Sequence, residues 1–258
     1  MLSTDFRTGS PNWLDLGSPD TAAAAAFYGA VFGWSFEPSG SEAGGYGFFR
    51  QDGRTVAALG PLTEEGAHSA WTVYFHTPEA DSTAKSVEQA GGTVRVAPDD
   101  VFDAGRLAAF TDPAGGEFAV WQPNRNAGLE ATTVPGTLCW VELHTPDPAG
   151  AQGFYGTLFD WRYERVDVPG MTYTVVSTAD GADQQRASFG GIAPTEPGHD
   201  HAAWLPYFEV TDPDATIDRT VAHGGAVLLP GMDAPGIGRM AWLTDPAGAR
   251  FAIIRSEA

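Results

Sequence analysis

The chain has 258 residues, 43% of them hydrophobic and 18% charged, which suits a packed globular core and argues against disorder. Its 33 acidic and 14 basic residues give a formal charge of -19, which disfavours nucleic acid and anionic membranes as partners, because both call for a basic surface. The one cysteine, Cys139, excludes an internal disulfide and reads as a buried packing residue; with no apolar run of membrane-spanning length, a cytoplasmic protein is expected.

In chain order, Trp13–Leu16 alternates like a strand and turns through Pro19-Asp20 into a helix over Thr21–Phe32, its acidic cap at the positive helix end. Strands are predicted near Gly47–Gln51 and Thr55–Leu59. Trp71–Phe75 then leads into a helix over Ala80–Ala90, closed by Gly91-Gly92. Strands near Thr93–Ala97, Leu107–Thr111 and Phe118–Gln122 follow, with TDPAG (Thr111–Gly115) supplying a tight turn. Ser35–Gly45 reads as a loop.

The same series then recurs. Trp13 and Trp140, Asp20 and Asp147, and Tyr28 and Tyr155 are each 127 apart, whereas Trp71 and Trp204, Arg106 and Arg239, and Asp112 and Asp245 are 133 apart. The second half therefore carries six extra residues within Arg162–Phe189, and Arg162–Ala187 reads as a longer loop able to cover a pocket mouth. Two homologous domains are expected, 1–127 and 128–258, joined through the Gly/Pro-punctuated stretch Asn124–Gly136. The fold class is α+β, built from four βαβββ modules with mixed sheets.

The strand-PDxxxxxxFY-helix pattern (Asp20, Phe27-Tyr28; Asp147, Phe154-Tyr155), the FGW and FDW that follow it, and the two TDPAG turns resemble the vicinal oxygen chelate superfamily of glyoxalase I, bleomycin-resistance proteins and extradiol dioxygenases. The likeness covers nearly the whole chain, which is more narrowly similar to two-domain glyoxalase-like proteins of actinobacteria. It implies curved sheets whose concave faces bind a small molecule. The family's metal enzymes place His, Glu or Gln at four inward strand positions; carried across, these are Trp13, Ala57 or Ala58, Thr72 and Ala119, then Trp140, Gly190 or Gly191, Leu205 and Ala252. None is a good donor for a divalent metal. No metal and no cofactor are therefore expected at that site.

Residues two apart on a strand share a face, which makes Asp15, Tyr74, Trp121, Glu142, Tyr207 and Ile254 the expected lining beside Trp13 and Trp140, with His76, His144 and Glu209 a step further on. Of these, Trp13, Tyr74, Trp121, Trp140, Tyr207, Glu209 and His144 are the candidate ligand-binding residues, and Asp15 and Glu142 the candidate acid/base groups. Core packing of the tryptophans, and ion pairs of Asp15 and Glu142 with Arg106 and Arg239, are the structural alternatives. His199-Asp200-His201 lacks a second ligand pair, His68 and His201 read as repeated caps, and His223 as a helix end. There is no GxSxG, CxxC, HExxH or glycine-rich phosphate loop.

Three functions stay open: a metal-free protein binding a planar aromatic metabolite or antibiotic; an enzyme, either a tailoring catalyst working through Asp15 or Glu142 or a glyoxalase-type lyase; and a regulatory interaction protein. A small aromatic molecule is the expected partner, and homodimer formation is left open.

Overall fold

A computed structural model describes residues 2–40, 43–64, 66–168, 171–180, 187–195 and 200–257. The first half runs β1 (Pro11–Ser18), α1 (Thr21–Phe32), β2 (Ser35–Pro38), β3 (Gly47–Gln51), β4 (Arg54–Pro61), β5 (Ala70–His76), α2 (Ala80–Gln89), β6 (Thr93–Val101), β7 (Gly105–Thr111) and β8 (Glu117–Pro123). The second repeats it as β9 (Leu138–Thr145), α3 (Pro148–Phe159), β10 (Arg162–Val168), β11 (Met171–Ser177), β12 (Ser188–Pro194), β13 (Ala203–Glu209), α4 (Pro213–Ala222), β14 (Ala226–Ala234), β15 (Gly238–Thr244) and β16 (Arg250–Ser256). Each half forms one eight-stranded mixed sheet, ordered β2-β3-β4-β1-β5-β8-β7-β6 and β10-β11-β12-β9-β13-β16-β15-β14. The α+β class and the four modules are as the sequence indicates.

Three segments expected as loops are strands, β2, β10 and β11. Ser35–Pro38 pairs antiparallel with β3, and Arg162–Val168 with β11. Of the three, β2 and β10 lie at a sheet edge and are mostly exposed, so RYERVDV has no buried side to give it a strand's alternation. The register also locates the six-residue insertion. Phe48 faces Ala58 across the β3–β4 hairpin, and Val175 faces Gly191 across β11–β12. The 127 offset thus holds to the end of β11, and the extra residues fall between β11 and β12, where the first half has the left-handed turn Asp52-Gly53. Residues 181–186 of that connection lie outside the described residues.

The chain packs as two compact units, and each draws on both halves of the sequence. One contains residues 1–13, 73–128 and 140–205; the other contains 14–72, 129–139 and 206–258. In the second of these, Tyr28 of α1 sits among Trp34, Phe49, Trp71 and Phe251. Its hydroxyl accepts from Trp71 Nε1 at 3.0 Å and donates to Asp245 Oδ2 at 3.4 Å. In the first, Tyr155 of α3 sits against Phe118, Trp161 and Trp204, accepts from Trp204 Nε1 at 3.0 Å and donates to Asp112 Oδ2 at 3.0 Å. The TDPAG aspartate therefore does two jobs. Its Oδ1 closes the local turn by accepting from two backbone N–H groups, Ala114 and Gly116 in one copy, while Oδ2 reaches the Tyr of the other repeat. Burial pushes both carboxyls above their usual range and both phenols well above theirs.

The joining segment is tied down. Glu130 accepts from the Thr55 N–H at 2.6 Å and meets Arg50 at 3.1 Å, and Trp34 Nε1 donates to the Gly136 carbonyl at 2.8 Å. Cys139 is buried as expected, its thiol 3.3 Å from the Tyr207 carbonyl and pushed up in pKa by burial. Asn12 is a local conflict: it is fully buried on the face it shares with Leu14 and Leu16, yet neither amide atom meets a hydrogen-bond partner among the described residues. An unmatched buried amide costs about 1–3 kcal/mol. Asn12→Leu, close in volume, is therefore expected to raise the melting temperature, and a fall in a thermal melt would show that the amide is satisfied in solution.

Candidate functional site

In the first compact unit, β9 turns Trp140, Glu142 and His144 to one face, because strand side chains alternate. Tyr173 of β11 reaches across the intervening strand β12 to join them. Its hydroxyl accepts from Trp140 Nε1 at 3.0 Å and donates to Glu142 Oε2 at 2.7 Å. The other carboxylate oxygen lies 2.7 Å from His144 Nε2. Register explains the reach: Gly191 of β12 is the lateral partner of both Glu142 and Val175, and a Cβ at Gly191 would collide with the Tyr173 hydroxyl. The Tyr173 phenol thus covers the place where a side chain of position 191 would stand. Glu142 and His144 keep 10% and 17% of their side-chain surface exposed, so the network is sheltered without being sealed.

The same unit carries Trp13, Tyr74, His76 and Trp121. Tyr74 and His76 are lateral neighbours of Ala119 and Trp121 on the parallel pair β5–β8. Trp121 donates its Nε1 to the Asn126 carbonyl at 2.8 Å, and its ring lies over Gly105, where any Cβ would strike it. Trp13 keeps 5% of its surface exposed. His76 Nδ1 is buried with no hydrogen-bond partner among the described residues, and desolvation lowers its pKa.

In the other unit Asp15 meets the Tyr46 hydroxyl at 3.4 Å, a longer version of the Glu142–Tyr173 bond. Tyr207 accepts from Trp242 Nε1 at 2.9 Å. Glu209 is engaged at the end of β16, accepting from Ser256 N at 3.0 Å and Ser256 Oγ at 2.7 Å. The expected alternative of ion pairs to Asp15 and Glu142 is not what the arginines make. Arg106 forks onto Asp81 and Asp100, and Arg239 onto Asp214 and Asp233. In each pairing the partners lie beside the arginine on its neighbouring helix and strand, well exposed.

Sequence reasoning missed Tyr46, Tyr173 and Trp242. The two tyrosines are 127 apart, so the repeat itself could have paired them; reading their surroundings as loops hid the signal. His201 packs its ring against Gly115 of the TDPAG turn, His223 caps α4 with its ring nitrogen 2.8 Å from the Arg219 carbonyl, and His199 lies outside the described residues.

Residues 10–120 match the Glyoxalase/Bleomycin resistance protein/Dioxygenase superfamily, and residues 140–254 match the Glyoxalase-like domain. The chain belongs to this superfamily. Among curated relatives, the anthracycline biosynthesis protein DauV of Streptomyces sp. (strain C5) is 39% identical over 269 residues, covering 97% of this chain and 94% of DauV. The anthracycline biosynthesis protein DnrV of Streptomyces peucetius is 40% identical over the same span, with the same coverage. Among solved structures, the 2,2',3-trihydroxybiphenyl 1,2-dioxygenase of Sphingomonas wittichii strain RW1 superposes with a TM-score of 0.65 at 17% identity, over 97% of this chain and 91% of the dioxygenase, a likeness of fold.

Metal chemistry is common in this superfamily, so the donor positions can be tested residue by residue. The sheet register selects Ala58 and Gly191, which lie beside Asp15 and Glu142, over Ala57 and Gly190, which lie beside the core residues Phe49 and Val176. The remaining positions hold Trp13, Thr72 and Ala119, and Trp140, Leu205 and Ala252. No imidazole, carboxylate or thiolate stands at any of them, so the residues present do not fit a divalent cation. Among the described residues no group of three or more His, Cys, Asp and Glu gathers elsewhere to hold one.

A separate open groove of about 730 Å³ in the first unit runs between α2 and α3, past Ser86, Gln89, Asp147, Phe154 and Thr157. Its counterpart position to Ser86 is Arg219, which donates to the Val31 carbonyl at 3.2 Å. The groove contains none of the candidate ligand-binding residues.

Proposed function

We propose that this superfamily member binds a planar polycyclic aromatic metabolite of the anthracycline type on the Trp140 face of its second sheet, without a metal. The observation that carries the reading is the hydrogen-bonded set Trp140–Tyr173–Glu142, in which aromatic and polar groups stand together around Trp140, one of the positions where the family's metal enzymes need donors. An indole and a phenol offer flat apolar surface, and aromatic stacking contributes about 0.5–1.5 kcal/mol per pair beyond burial. The carboxylate among them supplies an acceptor for a ligand hydroxyl or amine. The names of DauV and DnrV, both anthracycline biosynthesis proteins, support the choice of ligand class.

Titrating an anthracycline against the intrinsic tryptophan fluorescence tests the reading. Saturable quenching is expected, with Trp140→Ala weakening it by about tenfold or more, on the order of 1.4 kcal/mol or above. Adding a chelator is expected to change neither the affinity nor the melting temperature. Binding that is indifferent to Trp140→Ala would move the ligand elsewhere, and binding abolished by chelator would overturn the metal-free reading.

A further inference from the structure

The hydroxyl of Tyr173 is held at both ends. The indole N–H of Trp140 points at its oxygen, and its own proton is committed to Glu142 through a 2.7 Å bond to a carboxylate. Charge-assisted bonds of this length are the stronger kind. The carboxylate draws the proton away while the indole N–H stabilises negative charge left on the phenol oxygen. Tyr173 is thus set up to act as an acid and a base at one position. The second oxygen of Glu142 lies 2.7 Å from His144 Nε2, and the His144 side chain is more exposed than that of Glu142, 17% against 10%. Three β-strands fix these groups: β9 carries Trp140, Glu142 and His144, β11 carries Tyr173, and β12 brings the bare Gly191 beneath the hydroxyl. Sites held by strands keep their geometry better than sites on loops.

We infer that Tyr173, Glu142 and His144 form a proton-transfer centre that interconverts the keto and enol forms of an aromatic ketone bound on the Trp140 face. The inference rests on the binding reading above and assigns a chemistry to the same site. In the forward direction the Tyr173 oxygen takes the proton from the carbon next to the ligand carbonyl. The C–H electron pair becomes the C=C bond of the enolate, and the C=O pair moves to oxygen. At the same time the proton of Tyr173 passes to Glu142 Oε2, beside His144, from which it returns through Tyr173 or exchanges with water. Returning one proton to the ligand oxygen completes the enol. Nothing is oxidised or reduced and no group leaves, so the step balances with proton carriers alone. Tyr173 is the catalytic residue, since it touches the ligand; Glu142 and His144 act through it. Positioned acid–base groups of this kind contribute about 10²–10⁴-fold in rate.

The full chain can be tested with 2-tetralone, a bicyclic aromatic ketone, by following hydrogen–deuterium exchange next to its carbonyl by NMR in D2O. Wild-type protein is expected to speed exchange at least tenfold over buffer. Tyr173→Phe and Glu142→Gln should return it to the buffer rate, and His144→Asn should displace the pH–rate profile, an effect that a purely structural role would not produce. Wild-type exchange at the buffer rate, with 2-tetralone still quenching the tryptophan fluorescence, overturns the proton-transfer centre and leaves the binding reading standing. Exchange that is fast in Tyr173→Phe overturns it as well. Loss of both quenching and exchange in the wild type rejects the two readings together.

Discussion

Tyr155→Phe is expected to destabilise the chain by about 3 kcal/mol, because one missing oxygen strands two buried partners, Trp204 Nε1 and Asp112 Oδ2, at about 1–3 kcal/mol each. For a chain of this size the melting temperature should fall on the order of 6–12 °C. The loss depends on pH, and its sign follows from Asp112. Burial raises that carboxyl in the folded state, so its contribution to stability is complete below the unfolded value near pH 4 and is lost as pH climbs through the raised one. The Tyr155 hydroxyl opposes the rise by donating to the carboxylate. Removing it pushes the carboxyl higher still, so the gap between variant and wild type should widen from acid to neutral pH. Thermal melts across pH 4 to 8 measure this directly, and a gap that closes on the way to neutral would contradict the hydrogen-bond account. Tyr28→Phe, whose bond to Asp245 is 3.4 Å against 3.0 Å, should lose less.

The second large effect is expected at Gly191. Adding one carbon there, as Gly191→Ala, drives a Cβ into the Tyr173 hydroxyl. The backbone has little room to yield, since Gly191 is paired on one side with Glu142 and on the other with Val175. The tyrosine ring must move instead, breaking the 2.7 Å bond to Glu142 and the 3.0 Å bond from Trp140. Overpacking of this kind costs about 1–3 kcal/mol. Ligand affinity should fall by more than tenfold, with a changed near-UV circular dichroism signal from the freed indole. The first half already shows the stretched geometry: Ala58 stands at the corresponding position, and Tyr46 sits 3.4 Å from Asp15. Wild-type affinity in Gly191→Ala would mean that the hydroxyl has no part in holding the ligand.

The sequence made the module order readable because repeated Trp, Asp-Pro and Phe-Tyr landmarks kept a constant offset. Strand alternation was enough to put Trp140, Glu142 and His144 on one face. Alternation cannot say what comes from the next strand but one, and so Tyr173 was missed, as was Trp242 beside Tyr207. The exposed edge strands β2 and β10 bury too little to imprint a period of two, so they passed for loops. The role of Asp112 was half visible: TDPAG announces a turn, whereas its bond to Tyr155, 43 residues on, depends on which repeat's helix covers which strands. Two copies of one module carry no mark of that choice.

The reciprocal bonds Tyr28–Asp245 and Tyr155–Asp112 carry a consequence for how the molecule is assembled. Severing the polypeptide between its repeats does not release two finished pieces; it leaves each fragment holding half of two different cores. Recovery from such a cut becomes a bimolecular event, second order in fragment concentration, in which neither partner matures ahead of the other.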